Sequence, residues 1–210
     1  MDNTVLLHHA PMSRSNIVLW MLEEMGIPYR LNLMSLQRQD QKKPAYLAIN
    51  PMGKVPALEH KGVVVTEAAA ICAYLADAFP EASMAPRADD PLRGPYYRWM
   101  FFAPSSLEPA AFDRMTGRGA PDPSAAGYGT YDLAVETAAT AIARTPFVLG
   151  DRFSTADVIL GSHIIWGMMV KALPERPEFT AYAERLRARP AWQRAMAKNQ
   201  ELYAELHPTG

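Results

Sequence analysis

The stretch Asn50-Pro51-Met52-Gly53-Lys54-Val55-Pro56-Ala57-Leu58 leaves few folds open to this chain. Two prolines bracket a glycine, so a turn must run into the apolar strand that follows. Val55 precedes a proline and is held extended. An X-Pro bond is also cis at low cost, which turns the chain sharply and leaves the Val55 N–H and C=O facing out. Residues 57–60 and 63–65 flank Lys61-Gly62, a hairpin signal. Thr66-Glu67-Ala68-Ala69-Ala70-Ile71 then opens a helix. Free backbone groups on an extended segment pair with a bound peptide as an added strand does. Unpaired N–H groups at a helix start attract a carboxylate, while the Glu67 carboxylate attracts an ammonium. These features suit a short zwitterionic peptide.

The segments around this stretch complete a small α/β unit. Residues 4–8 read as a buried strand, and residues 16–25 as an apolar helix ended by Gly26 and Pro28. Tyr29, Leu31 and Leu33 alternate with Arg30 and Asn32, which is strand periodicity. Residues 44–49 form a short helix, and Ile71, Tyr74, Leu75 and Ala78 repeat at helical spacing. The order βαβαββα implies a mixed sheet. Residues 81–90, between prolines, form the linker that separates a domain at 1–80 from a domain at 91–210. No strand is expected beyond it. Pro104 and Pro109 kink the aromatic-rich segment 92–114. Residues 117–130 form either a mobile loop or the tip between two long helices. Residues 131–144 are helical, and 155–170 is apolar almost all round, so it is the buried central helix. Ser154 and Asp157 have the form of a capping box, with Phe153 and Val158 at the staple positions.

Composition narrows the function. With 21 basic and 22 acidic residues the net charge is −1, which argues against general nucleic-acid or anionic-membrane binding. The single cysteine, Cys72, excludes an internal disulfide and a CxxC redox motif. No stretch approaches the ~20 apolar residues of a membrane span, and the apolar run at residues 5–7 is too short for a signal peptide. The expected compartment is reducing, with the cytoplasm as default. His8-His9 has no partner at metal-ligand spacing. Cys72 among alanines reads as a buried inert thiol. Arg185, Arg187, Arg189 and Arg194 read as solvated helix faces.

Ser13 and Ser15 lie between the first strand and the first helix. Helix N–H groups and hydroxyls there favour an anion, and a bound thiol would ionise more readily. The plain alternative is an N-cap serine that only stabilises the helix. A serine hydroxyl is a poor base, so its part would be to donate to a thiolate.

The pattern Asn-Pro-x-Gly-x-Val-Pro-x-Leu followed by Glu67-Ala68-Ala69-Ala70-Ile71 resembles the glutathione-binding core of the glutathione S-transferase family. His9-Ala10-Pro11-Met12-Ser13-Arg14-Ser15, with Leu19-Trp20-Met21-Leu22-Glu23-Glu24-Met25-Gly26-Ile27-Pro28-Tyr29, resembles the first strand and helix of bacterial, serine-type cytosolic members. Ser154-Thr155-Ala156-Asp157 resembles the family's second-domain capping box. The resemblance implies a thioredoxin-like N-terminal domain and an all-helical C-terminal domain. It implies no resident cofactor, with glutathione as co-substrate. Ser13, with Ser15 in reserve, would donate to the glutathione thiolate; backbone N–H groups are the remaining option. Val55 and Pro56 would pair with the tripeptide backbone, and Glu67 would meet its α-ammonium. The Ala68 N–H would meet the γ-glutamyl carboxylate, though many members carry serine there. Lys54 would meet the glycyl carboxylate, with Gln39 and Lys42 as weaker candidates. Tyr96, Trp99 and Phe102 would border the pocket for a small apolar electrophile. The implied activity is detoxifying conjugation by a homodimer, with no nucleic-acid or membrane partner. A glutathione-dependent peroxidase, or a non-catalytic binding or scaffold protein, is the alternative.

Overall fold

The computed structural model describes residues 4–118 and 122–208. They form two compact units, one from the chain up to Ala82 together with the segment from Arg189, the other from Ser83 to Ala188.

The first unit is built on a four-stranded sheet. β1 (Val5–His9) lies at its centre, with Val5, Leu7, His8 and His9 buried. α1 (Ser15–Met25) packs an unbroken buried run from Ile17 to Leu22. It ends where Gly26, at φ 64°, turns left-handed and donates its N–H to Leu22 O. Only glycine takes that turn without a Cβ penalty. β2 (Tyr29–Leu33) pairs parallel with β1, and its exposed Arg30 and Asn32 alternate with half-buried neighbours as the periodicity predicts. The short helix α2 (Pro44–Leu47) precedes β3 (Ala57–His60), which is antiparallel to β1 and forms a hairpin with β4 (Val63–Thr66). The strand order is β2-β1-β3-β4. α3 (Ala68–Ala78) follows, burying Ile71, Cys72, Leu75 and Ala76.

The second unit is helical. α4 (Arg93–Phe102) runs into a π-helical turn at Ala103–Leu107 and on into α5 (Glu108–Met115). Pro104 has no N–H to give the ladder, and the Glu108 N–H reaches back five residues to Ala103 O. The expected kink at Pro104 therefore takes the form of a widened turn. α6 (Tyr131–Ile142), α7 (Thr155–Met169) and α8 (Pro177–Arg187) complete the unit. α7 is buried almost all round, as its sequence requires. Part of the expected 117–130 loop, residues 119–121, lies outside the described residues. Its later part is a turn in which Tyr128 donates its hydroxyl to Asp113 at 2.8 Å.

Two expectations about boundaries meet a different arrangement. The segment after Ser83, read as linker, is tied into the second unit by Thr155, whose N–H and hydroxyl both donate to Met84 O. The last helix, α9 (Pro190–Leu206), packs on α1 and so groups with the first unit. Ala191, Ala195 and Asn199, spaced four apart, form its buried face. Two alanines in that row let the helices approach closely, and Arg189 grips Glu24 through two hydrogen bonds of 2.6 and 2.8 Å. Arg194 likewise bonds Glu23 at 2.9 Å, and Arg185 donates to Pro146 O, so these arginines, read as solvated, hold specific partners.

Candidate active site

Sheet register brings three loops to one end of the sheet. His8 on β1 stands opposite Ala57 on β3, and Ala57 opposite Thr66 on β4. The segments that leave or enter these positions are 10–14, 54–56 and 67–68. Val55 and Ile49 pack on the cluster formed by Ala10, Met34, Tyr46 and Ala57, which fixes the first two loops against each other.

The 50–56 turn is built as its prolines and glycine require. The Val55–Pro56 bond is cis. Gly53 sits at φ 59°, and a Cβ there would come within 2.8 Å of Gln41 O, so no larger residue fits. Tyr46 and Asn50 both donate to Lys54 O, at 2.6 and 2.8 Å, and Asn50 Oδ1 accepts from Met52 N–H. These two residues escaped the sequence reading. Asn50 stands inside the quoted motif, but the role of Tyr46 depends on α2 folding back over the turn. Among the described residues neither the N–H nor the C=O of Val55 has a hydrogen-bond partner. Lys54 is exposed, with no ion pair among the described residues. Lys42 is partly engaged, donating to Met52 O at 3.3 Å, and Gln39 is an exposed residue at φ 55°.

Glu67 follows β4 and caps α3 from φ 67°, ψ 120°, a conformation that L residues rarely adopt. Its carboxylate is exposed and without a partner among the described residues. Its C=O accepts the first helical bond, from Ile71 N–H, and the N–H groups of Ala68, Ala69 and Ala70 are unpaired among the described residues. Helix N–H groups therefore stand beside a free carboxylate, as a ligand carrying both charges needs.

The structure separates the two serines. Ser15 is fully buried: its Oγ accepts the Ala10 N–H at 3.1 Å and lies 2.9 Å from Ala10 O and 2.8 Å from His9 Nδ1. Ser13 is half-buried, with its Oγ 2.7 Å from Ala10 O and 2.8 Å from Ser15 Oγ, and it accepts the Ser15 N–H at 3.2 Å. Of the two, only Ser13 keeps a face for a ligand. Met12 before it is left-handed at φ 58° and 65% exposed.

The aromatic candidates belong to the helical unit. Tyr96 is fully buried, so the reading of it as a pocket wall gives way to core packing. Trp99 is nearly buried, edge-on to Phe102, and borders a cavity of ≈ 320 Å³ formed with Arg98 on α4 and Leu133, Thr137 and Ala141 on α6. Phe102 is partly buried and does not line that cavity. Cys72 is buried and burial pushes its thiol far up, which leaves it inert. His8 bonds Glu59 and Asn32 as a packed histidine. Among the described residues no cluster of His, Cys, Asp or Glu could hold a metal, and no helix is long and apolar enough to cross a membrane.

Residues 11–78 match the family model for the glutathione S-transferase N-terminal domain. A glutathione transferase from Methylococcus capsulatus superposes with a TM-score of 0.78 at 29% identity, over 94% of this chain and 99% of that one. The chain is similar to glutathione transferases over most of its length. A glutathione transferase homologue from Sulfitobacter, solved with bound glutathione, superposes with a TM-score of 0.75 at 28% identity over the same shares. Among curated relatives, glutathione S-transferase 3 of Schizosaccharomyces pombe is 33% identical over 105 residues, which are 50% of this chain and 43% of that protein. The sheet and helices of the first unit thus match the thioredoxin-like N-terminal domain of the transferases, and the helices beyond it match their helical domain.

Proposed function

We propose that this chain, similar to glutathione transferases, conjugates the thiolate of glutathione to small apolar electrophiles. The observation that carries the reading is the convergence at one sheet end of three things: the unpaired Val55 backbone, the Glu67 carboxylate beside the open start of α3, and the Ser13 hydroxyl. A γ-glutamyl group presents an ammonium to Glu67 and a carboxylate to the Ala68 N–H. The cysteinyl backbone pairs with Val55 as an added strand, which directs the thiol toward 10–14. Ser13 then donates to the sulfur, and the anion is the attacking nucleophile. Lys54 reaches the glycyl carboxylate. Glutathione acts as co-substrate, with no resident cofactor. Burial of Cys72 removes thiol–disulfide exchange by the protein's own thiol. Exposed Tyr97 and Phe101 on α4 and Leu133 on α6 support a homodimer through the helical unit.

Titration calorimetry with glutathione tests the binding, and turnover of an aryl halide beside cumene hydroperoxide tests the chemistry. Binding with conjugation is expected. Binding without turnover of either substrate would make the protein a glutathione-binding scaffold, and peroxide turnover alone would make it a peroxidase. Absence of binding overturns the site.

A further inference from the structure

His9 is a fully buried titratable group beside the reacting end of the site that the proposed chemistry leaves without a task. It closes β1, is 0% exposed, and lies 2.8 Å through Nδ1 from Ser15 Oγ. Ser15 Oγ in turn lies 2.8 Å from Ser13 Oγ. Asn199 of α9, itself buried, also faces the ring, and its Nδ2 reaches Met12 Sδ at 3.9 Å. Neither His9 Nε2 nor Asn199 Oδ1 completes a hydrogen bond. A chain of three polar groups therefore runs from the core to the ligand face, and its inner end has an unused ring nitrogen.

Proton counting shows what the inner end controls. Each serine has one hydroxyl proton and two acceptor lone pairs. One lone pair of Ser15 is taken by the Ala10 N–H. If His9 carries its proton on Nε2, bare Nδ1 takes the Ser15 proton, and the Ser13 proton is drawn inward to Ala10 O or Ser15 Oγ. The chain then runs away from the ligand. If His9 carries its proton on Nδ1, that N–H fills the second lone pair of Ser15. The Ser15 proton then goes to Ser13 Oγ or Ala10 O, 2.8 and 2.9 Å away, and no longer to the ring; when Ser15 donates to Ser13, the Ser13 proton is left to Ala10 O, 2.7 Å away, or to an anion bound on the open face. The Asn199 amide suits either state, because its oxygen accepts from Nε2–H and its NH₂ donates to bare Nε2.

We propose that His9 is a positioning residue for the reaction: in its Nδ1–H tautomer it polarises the Ser15–Ser13 pair outward, so that Ser13 donates to the glutathione thiolate. The inference rests on the transferase reading of the site. It requires a neutral imidazole. Burial lowers the His9 pKa to about 4, partly offset by Asn199 and Ser15, and no charged side chain contributes to the shift. The groups facing the ring are thus Ser15 from α1 and Asn199 from α9, and the ring stays neutral across the working range.

The test measures the pKa of the bound glutathione thiol from the ultraviolet absorption of its thiolate, in wild type, His9→Leu, His9→Asn, Ser13→Ala and His9→Leu/Ser13→Ala. Glutathione affinity is measured separately at a pH where the thiol is protonated, and folding by thermal melts. His9→Leu is expected to raise the bound-thiol pKa by roughly one unit, which lowers the thiolate fraction about tenfold below that pKa, with low-pH affinity unchanged. His9→Asn, which keeps a polar atom near the Nδ1 position, restores part of the shift. The double variant shifts no further than Ser13→Ala, because His9 acts only through that hydroxyl. An unchanged pKa in folded, glutathione-binding His9→Leu overturns the proposal, and so do additive shifts in the double variant. Should His9→Leu fail to fold, Ser15→Ala cuts the same chain and is read against the same two criteria. Wild type that does not bind glutathione overturns the transferase reading itself, and the role of His9 with it.

Discussion

Glu67 holds a backbone conformation that costs of order 1–3 kcal/mol for a residue with a Cβ and leaves its carboxylate exposed and unpartnered among the described residues. In the proposed function that carboxylate is the partner of the glutathione ammonium. Glu67→Gln keeps the shape and removes the charge. A charge-assisted hydrogen bond is worth ~1.5–3 kcal/mol, so calorimetry should show glutathione affinity falling about tenfold or more. His9 makes a prediction about pH. Its folded pKa, about 4, lies below the ordinary value of 6.5. Below 6.5 the unfolded chain binds the proton that the folded protein refuses. Stability from this group is therefore full above about pH 6.5, declines as the pH falls, and is lost by about pH 4, a total of ~3 kcal/mol. His9→Leu should flatten the urea midpoint against pH over that window. The sequence made Glu67 and Val55 legible because their chemistry lies in adjacent residues. It could not divide Ser13 from Ser15, since both stand at the same helix start. What divides them is the burial of Ser15 against His9 and Ala10, which comes from packing.

At the scale of the element, the start of α7 carries a dense set of polar bonds. Asp157 Oδ2 accepts from the Ser154 N–H at 2.9 Å and from its hydroxyl at 3.1 Å, while Oδ1 accepts from the Val148 N–H and the Tyr182 hydroxyl, both at 2.7 Å. The Ser154–Asp157 spacing announced the cap, but nothing local pointed to Val148 or Tyr182. They convert a helix cap into a junction between α7, α8 and the loop before α7. Burial raises the Asp157 pKa and the four hydrogen bonds oppose that rise. Asp157→Ala would strand buried donors as well as remove a cap. The loss should be ~2–4 kcal/mol, above the ~0.5–2 kcal/mol of a cap alone, with glutathione affinity preserved. Urea denaturation followed by the helical signal checks it. The π-helical turn at Ala103–Leu107 is the same kind of result: Pro104 signalled a break in the ladder, while its form depended on the helix resuming as α5.

Across the whole molecule, the chain leaves its first unit after Ala82, builds a second, and returns at Arg189 to finish the first. The return is anchored by the Arg189–Glu24 pair, in which the carboxylate is 6% exposed and the guanidinium 29%. Glu24 also accepts from the Trp20 indole N–H at 2.9 Å. Arg189→Ala leaves that nearly buried carboxylate without its cation. About 2 kcal/mol should be lost, measured as a lower urea midpoint in a probe placed on α1. Because α9 also delivers Asn199 to His9, the variant should weaken protection of the β1–α1 turn against hydrogen exchange before it weakens the helical unit.

The α/β order, the turn at 50–56, the acidic helix start at Glu67 and the buried central helix were all determined by the sequence alone. Each is encoded within about ten residues, through proline and glycine dihedrals, side-chain alternation or helical repeat, and such signals survive without knowledge of what packs where. Tertiary structure alone decided that α9 joins the first unit, that Tyr96 is core, that Ser15 is buried while Ser13 keeps a free face, and that His9 stands behind them both. Those outcomes depend on residues far apart in the chain meeting across packed faces. The buried face of α9, two alanines and an asparagine, carries too weak an apolar pattern to announce its partner.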